Sequence, residues 1–207
     1  MINLEQQYRN RFDKFLLPMA DRLEAHLRES LSGTPRIDRI SVRAKAIDRF
    51  IQKAGKNDGT VPKYSDPLSQ IQDQLAARIV TFYASDVPRI SVEVRKYFRP
   101  IENKVLVPET EREFGYVGEH FILLIPSDIR VVLEKDADVP DFFELQIKTL
   151  FQHAWAEAEH DIGYKPGNDL TQLHRRKMAF TAAQAWGADH IFDELFKELR
   201  ASEPKHT

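Results

Sequence analysis

Glu144, Gln146 and Lys148 set a carboxylate, an amide and a cation at every second position of Phe142-Phe143-Glu144-Leu145-Gln146-Ile147-Lys148-Thr149. A strand has a side-chain period of two, so these three face one way while Phe143, Leu145 and Ile147 face the other. Alternation alone favours an ordinary half-buried strand with a solvated face. The residues immediately C-terminal to it shift the balance toward chemistry. The strand runs directly into Leu150-Phe151-Gln152-His153-Ala154-Trp155-Ala156-Glu157-Ala158-Glu159-His160, an apolar-rich helical stretch ending near Gly163. A polar row at the mouth of a strand-to-helix turn suits phosphate and hydroxyl chemistry.

Three further groups carry chemical potential. Asp73 precedes Arg78 by five positions; taken alone it reads as a helix-terminal or surface aspartate. Tyr116 lies between Gly115 and Gly118, which free the backbone to present its ring, and His120 begins the next strand. A buried hairpin tyrosine and a structural histidine are the plain alternatives there. Arg43, Lys45 and Lys53 lie on or just before a helix that also carries Asp48 and Arg49, which by itself describes a solvated charged face.

The elements that must position these residues are set by periodicity. Leu4, Tyr8, Phe12, Phe15, Met19, Leu23 and Leu27 recur at three- and four-residue intervals and predict a helix over 3–30, kinked or divided at Pro18. A second helix is predicted over 44–54, closed by Gly55, then a polar loop over 56–66 and a short helix near 67–75. Ile79, Val80, Phe82 and Tyr83 mark a strand near 77–83. Asp86 is placed to cap a helix whose stripe is Val87, Ile90, Val94 and Phe98. Residues 100–107 read as extended, 119–126 and 142–148 as strands, and 169–200 as helical. Strands interspersed with helices predict a mixed α/β (α+β) core under a helical cover.

With 207 residues, 42% hydrophobic and 30% charged, the chain suits one globular domain with a substantial core. A net charge of −2 gives no global pull toward nucleic acid. The absence of cysteine excludes disulfides and thiolate metal sites. The longest apolar run, Phe121 to Ile125, is far short of a membrane span, and the N-terminus lacks the apolar stretch of a secretory signal. The expected location is the cytoplasm, with no membrane partner.

Taken in order, these segments resemble the RelA/SpoT-type alarmone synthetases. Glu144 to Thr149 is similar to that family's E-x-Q-I-R-T element, and Trp155-Ala156, Glu159-His160 and Tyr164-Lys165 continue the match. Asp73 through Arg78 resembles its acidic residue and arginine. Gly115-Tyr116-Val117-Gly118-Glu119-His120 resembles the G-Y-x-S-x-H loop, with Gly118 in place of serine, and Arg43, Lys45 and Lys53 resemble the basic ATP-binding element. The likeness spans roughly residues 40–166. Lys148 replaces the usual arginine, and Arg49 stands where serine is common between the two lysines.

The resemblance implies a nucleotidyltransferase-like mixed sheet flanked by helices, in a single synthetase domain over 1–207. Helices over 1–40 and 167–207 would enclose a catalytic core at about 41–166. It implies a GTP pyrophosphokinase (GTP diphosphokinase) that moves the β,γ-pyrophosphate of ATP to the 3′-hydroxyl of GDP or GTP with Mg2+. Asp73 and Glu144 would be metal ligands, and Glu144 also the group acting on the hydroxyl. Arg43 and Arg78 would sandwich the adenine while Lys45 and Lys53 contact phosphates. Tyr116 would stack the acceptor base, with His120, Gln146 and Lys148 on its phosphate or ribose oxygens. Small members often form homo-oligomers.

Other readings stay open on the sequence. His174-Arg175-Arg176-Lys177 is a basic cluster that fits relatives acting on the 3′ end of tRNA. A non-catalytic nucleotide-binding or interaction protein is a different class. His153, Glu157 and His160 have helical spacing for a transition metal. His160-Asp161 superficially resembles a phosphohydrolase pair, but that fold needs further helical histidine and aspartate ligands upstream, which argues against a hydrolase.

Overall fold

A computed structural model describes residues 3–110, 113–130, 139–163 and 170–201. The first helical stretch starts where the Asn3 side chain accepts the Gln6 N–H at 2.8 Å. It comprises α1 (Leu4–Arg11), a π-helical turn (Phe12–Leu16) and α2 (Leu17–Ser30). Pro18 neither divides nor ends it. The proline falls in the first turn of α2, where a missing N–H is tolerated, and the wider π turn immediately precedes it. Tyr8, Leu16, Met19, Leu23 and Leu27 bury one stripe of this stretch.

β1 (Ile37–Ala44) was not foreseen as a strand. A register shift between Ile37 and Arg39 breaks its alternation, and its polar positions disguise the rest. The predicted helix over 44–54 is therefore shorter: α3 is Ile47–Ala54, ended by Gly55, whose N–H bonds the Ile51 carbonyl. The polar loop beyond it holds a small hairpin, β2 (Asn57–Asp58) and β3 (Val61–Pro62), turning at Gly59 with φ +64°.

Next come α4 (Pro67–Gln70), a 3-10 turn (Gln72–Gln74), β4 (Leu75–Thr81) and α5 (Asp86–Tyr97). Asp86 does not cap α5. Its buried carboxylate holds the Arg36 guanidinium at 2.5–3.0 Å, and Arg36 has the left-handed φ of 63°. β5 (Pro100–Leu106), β6 (Gly118–Leu124), α6 (Ser127–Arg130), β7 (Phe142–Thr149), α7 (Leu150–Gly163) and α8 (Gln172–Ala201) complete the order.

The five-stranded sheet has the order β1-β4-β7-β6-β5. Only β4 and β7 pair in parallel; the other neighbours are antiparallel. One face is apolar: Leu75, Ala77 and Ile79 of β4, Phe143, Leu145 and Ile147 of β7, and Phe121 and Leu123 of β6 are all buried. α2 and α5 cover it with Leu23, Leu27, Ile90 and Val94. Each such Leu, Ile or Phe contributes about 1.5–3 kcal/mol by leaving water. This is the mixed sheet flanked by helices that the sequence predicts. No helix among the described residues is long and apolar enough to cross a membrane.

α8 returns against α7, where the Trp155 indole N–H donates to Thr181 Oγ1 at 3.1 Å. Near the middle of α8, Asp189 is 3% exposed; Thr149 Oγ1 donates to its Oδ2 at 2.7 Å, and its Oδ1 has no partner among the described residues. Burial pushes the Asp189 pKa up to about 6, with Asp193 adding and the Thr149 bond and His190 opposing. A carboxyl raised above its unfolded value favours the fold most below about pH 4. That contribution is lost as pH rises through about 6. Asp189→Asn should therefore match the wild type in Tm near pH 4 and exceed it by roughly 6–12 °C at pH 7. Thermal melts across that range check it; a gain independent of pH would contradict it.

Candidate active site

The sheet face opposite the core carries the chemistry, and strand register decides which groups meet. Arg43 lies beside Ala76, and Ala76 beside Glu144; Arg78 lies beside Gln146, and Gln146 beside His120. Side chains therefore converge from β1, β4, β7 and β6. Arg43, Lys45, Lys53 and Arg78 line one cleft of about 470 Å3 together with Asp73, Glu144 and Gln146. Arg43 belongs to β1, Lys45 to the link after it, and Lys53 to the last turn of α3. This differs from the single helix expected to carry them.

Asp73 projects from the 3-10 turn that launches β4. The turn is pegged from behind by Gln74, whose side chain is fully buried and donates to the carbonyls of Leu68 at 2.7 Å and Ile71 at 3.0 Å. Arg11 Nη1 donates to Gln74 Oε1 at 3.0 Å and to the Leu68 carbonyl at 2.7 Å. Tyr8 stacks on Phe50 at 3.6 Å and donates its hydroxyl to the Lys45 carbonyl at 2.7 Å. The N-terminal helix thus holds both sides of the cleft floor. Sequence reading missed Arg11 and Gln74 because both look like surface residues; an arginine inside an apolar stripe was the available signal.

On the floor, Asp73 accepts from Lys45 Nζ at 2.5 Å and from Lys53 Nζ at 2.9 Å. Burial works to raise its pKa, but the two ammonium groups outweigh this and hold it below the usual carboxylate range. Glu144 behaves alike. Burial raises it, while His120 Nδ1 at 2.9 Å and Gln146 Nε2 at 3.1 Å bring it below its ordinary value against the charge of Asp73. Both carboxylates are ionised near neutrality. Gln146 Oε1 is buried with no partner among the described residues, an acceptor left over beside Glu144.

His120 joins the cleft to the glycine-flanked loop. Its Nε2 is 2.6 Å from the Tyr116 hydroxyl, and the two rings stand at 89°. With Nδ1–H directed at Glu144, Nε2 is the acceptor and Tyr116 the donor. Lys148 is 3% exposed, with Nζ 4.5 Å from the centre of the Tyr116 ring. Burial lowers its pKa to about 8, helped by Arg78 and Arg43 and opposed by Glu157 and Glu144. Burial also drives the Tyr116 phenol upward. Tyr116 thus turns inward rather than presenting a free ring.

α7 closes the cleft. Arg78 Nη1 donates to Glu157 Oε1 at 2.7 Å and approaches His153 Nδ1 at 3.3 Å. His153 and Glu157 therefore serve Arg78, and no group of three or more metal-ligating side chains occurs among the described residues. His160 and Arg49 also line the cleft, an involvement the sequence did not specify. His174, Arg175, Arg176 and Lys177 occupy exposed positions at the start of α8 and are not among the cleft's lining residues. Tyr164 and Lys165 lie outside the described residues.

The residues present fit a magnesium–nucleotide complex. Mg2+ in such sites takes one or two carboxylates and completes its shell with water and substrate phosphates. Asp73 and Glu144, ionised and lining one cleft, could supply that donor set. Five lysine and arginine side chains around them suit a polyphosphate.

This is an α+β domain with a cleft on one sheet face that gathers cations and two carboxylates. A model of the region found in RelA/SpoT proteins matches residues 42–169, and the chain belongs to that family as a small RelA/SpoT-type synthetase. It is 23% identical over 205 residues to GTP pyrophosphokinase YjbM of Bacillus subtilis, spanning 93% of this chain and 92% of that protein. Its fold is similar to that of small alarmone synthetase 1 from Bacillus subtilis, with a TM-score of 0.75 at 20% identity, over 93% of this chain and 100% of the other. The structure of that synthetase bound to its product pppGpp matches with a TM-score of 0.73 at 19% identity, covering 95% and 100%.

Proposed function

We propose that the protein transfers the β,γ-pyrophosphate of ATP to the 3′-hydroxyl of GDP or GTP. The observation that carries this reading is the cleft itself: five lysine and arginine side chains gathered around two ionised carboxylates, in a chain of the RelA/SpoT family. In the proposed reaction the acceptor 3′-oxygen bonds the β-phosphorus of ATP, the bond from that phosphorus to the α,β-bridging oxygen breaks, and AMP departs. The hydroxyl proton leaves toward Glu144.

Each residue has a physical role in that scheme. Lys45 and Lys53, now shared on Asp73, exchange part of that contact for donor phosphates. Arg43 and Arg78 flank the adenine with planar guanidinium groups, with Arg78 leaving Glu157 as it does so. Asp73 and Glu144 hold Mg2+, which neutralises phosphate charge when bound. Glu144, held below its ordinary pKa, is a weak base, so orientation by His120 and Gln146 matters more than basicity. Tyr116 offers its ring to the acceptor base once it turns outward. Lys148 then serves the acceptor phosphates, joined by His120 once its freed Nε2 takes up a proton, and the spare Gln146 Oε1 accepts from a ribose hydroxyl. YjbM's name and the product-bound state of the synthetase of similar fold support the choice of guanine nucleotide.

The test is transfer of label from γ-labelled ATP, with magnesium, to GDP, GTP or deacylated tRNA. Label on GDP or GTP is expected. Label on tRNA alone would reassign the acceptor, and no transfer to any of them would leave a nucleotide-binding protein. Asp73→Asn should lower kcat by about 100-fold or more, and Glu144→Gln by about 10²–10⁴-fold; wild-type turnover in either would remove that residue from the mechanism.

Lys148 supplies a pH signature. Its ammonium is charged below about pH 8 and is lost above it. The acceptor KM should therefore rise between about pH 7 and 9, while Lys148→Arg stays flat because arginine keeps its proton. A rise of equal size in both proteins would exclude Lys148 as its origin.

A further inference from the structure

A side chain at position 118 would meet one thing first. A Cβ built on Gly118 would lie 2.8 Å from the Tyr116 hydroxyl oxygen and 3.2 and 3.3 Å from two carbons of the same ring. Those are its three nearest neighbours. The backbone there is not left-handed, so the glycine is required by the approach of Tyr116 rather than by its own conformation.

The tyrosine that Gly118 admits is tied down at both ends. Its hydroxyl is 2.6 Å from His120 Nε2, and its ring lies under the Lys148 ammonium at 4.5 Å. These are the ring and two of the polar groups assigned above to the acceptor nucleotide, so the present inference rests on that assignment. In the inward position they satisfy one another. A base cannot stack on the ring face that Lys148 occupies. His120 Nε2 must take up a proton before it can donate to a phosphate oxygen, and it cannot do so while it accepts from the phenol. Acceptor binding must first break these contacts.

We propose that Gly118 is a positioning residue for Tyr116: by leaving room for the ring to fold inward, it makes Tyr116 an internal competitor of the acceptor nucleotide. The displaced atoms are the far end of a rotatable side chain, so filling the space turns the ring out rather than disrupting the sheet. If the inward state dominates by about tenfold, acceptor affinity is reduced by the same factor, and removing that state restores it.

Gly118→Ala is the direct test. Nitration of Tyr116 by tetranitromethane, mapped by mass spectrometry, should be slow in the wild type and several-fold faster in the variant. Acceptor KM should fall on the order of 10-fold, while kcat and the KM for ATP stay within about twofold. Tyr116→Phe, which keeps the ring and removes the bond to His120, should lower the acceptor KM in the same direction. It supplies a second reading if Gly118→Ala folds poorly. Unchanged nitration in Gly118→Ala would overturn the steric claim. Faster nitration with an unchanged or higher acceptor KM would overturn the competition. Wild-type protein that transfers to no acceptor would instead defeat the acceptor assignment, while the nitration result would still decide how Tyr116 packs.

Discussion

The parallel pairing of β4 with β7 is the constraint on which the rest of the molecule depends. It sets Ala76 beside Glu144 and Arg78 beside Gln146, in the middle of the sheet. The same register sets Ala77 beside Leu145 and Ile79 beside Ile147 on the opposite face, where all four are buried. A slip of one residue in either strand would bury its charges and expose its core residues. The hydrophobic face therefore specifies the catalytic face. Because a parallel pair is buried at the sheet centre, the polar residues it carries end up in a cleft rather than on an open surface.

Charge is then stored in that cleft by internal substitution. Taking a lone ammonium or carboxylate out of water is costly, and several charged groups in and beside the cleft have provisional partners. Asp73 holds two lysines, Glu157 holds Arg78, and Glu144 holds His120. None of these arrangements is optimal for stability alone, since three lysine or arginine side chains share two carboxylates, one of them on an exposed helix face. They are arrangements that a polyphosphate can replace bond for bond. The peg of Arg11 on Gln74 anchors the turn that carries Asp73.

The central strand, the glycine loop and the acidic turn were legible because each carries a local signature. The alternation of buried and half-buried residues survives from Phe143 to Ile147 and ends at the buried Lys148, and Tyr116 and His120 do converge on Glu144. What was not legible depends on partners distant in the chain. β1 hid behind its bulge, so Arg43 was placed at a helix instead of on an edge strand. Asp86 has the look of a cap but is claimed by Arg36, fifty residues away. Arg11 and Gln74 become a buried pair only when α1 meets the turn before β4. His153, Glu157 and His160 share a helix face and so imitate a metal site; the strand that faces them brings Arg78, and with it a different purpose for two of the three.

Lys148 shows how the charge storage and the sheet geometry act together. It lies on the same strand face as Glu144 and Gln146, yet it is almost fully buried, and no carboxylate among the described residues is bonded to it. Arginine at this position would remain charged at every relevant pH, in a pocket where Arg78 and Arg43 already disfavour a third cation. Lysine can rest there because burial and those neighbours bring its proton close to release, and because the Tyr116 ring offers its negative face to the ammonium. On the proposed function, an acceptor phosphate adds counter-charge to that of Glu157 and Glu144 and so raises the lysine's affinity for its proton. Lysine in place of arginine then exchanges a bidentate donor for a charge that an anionic ligand strengthens.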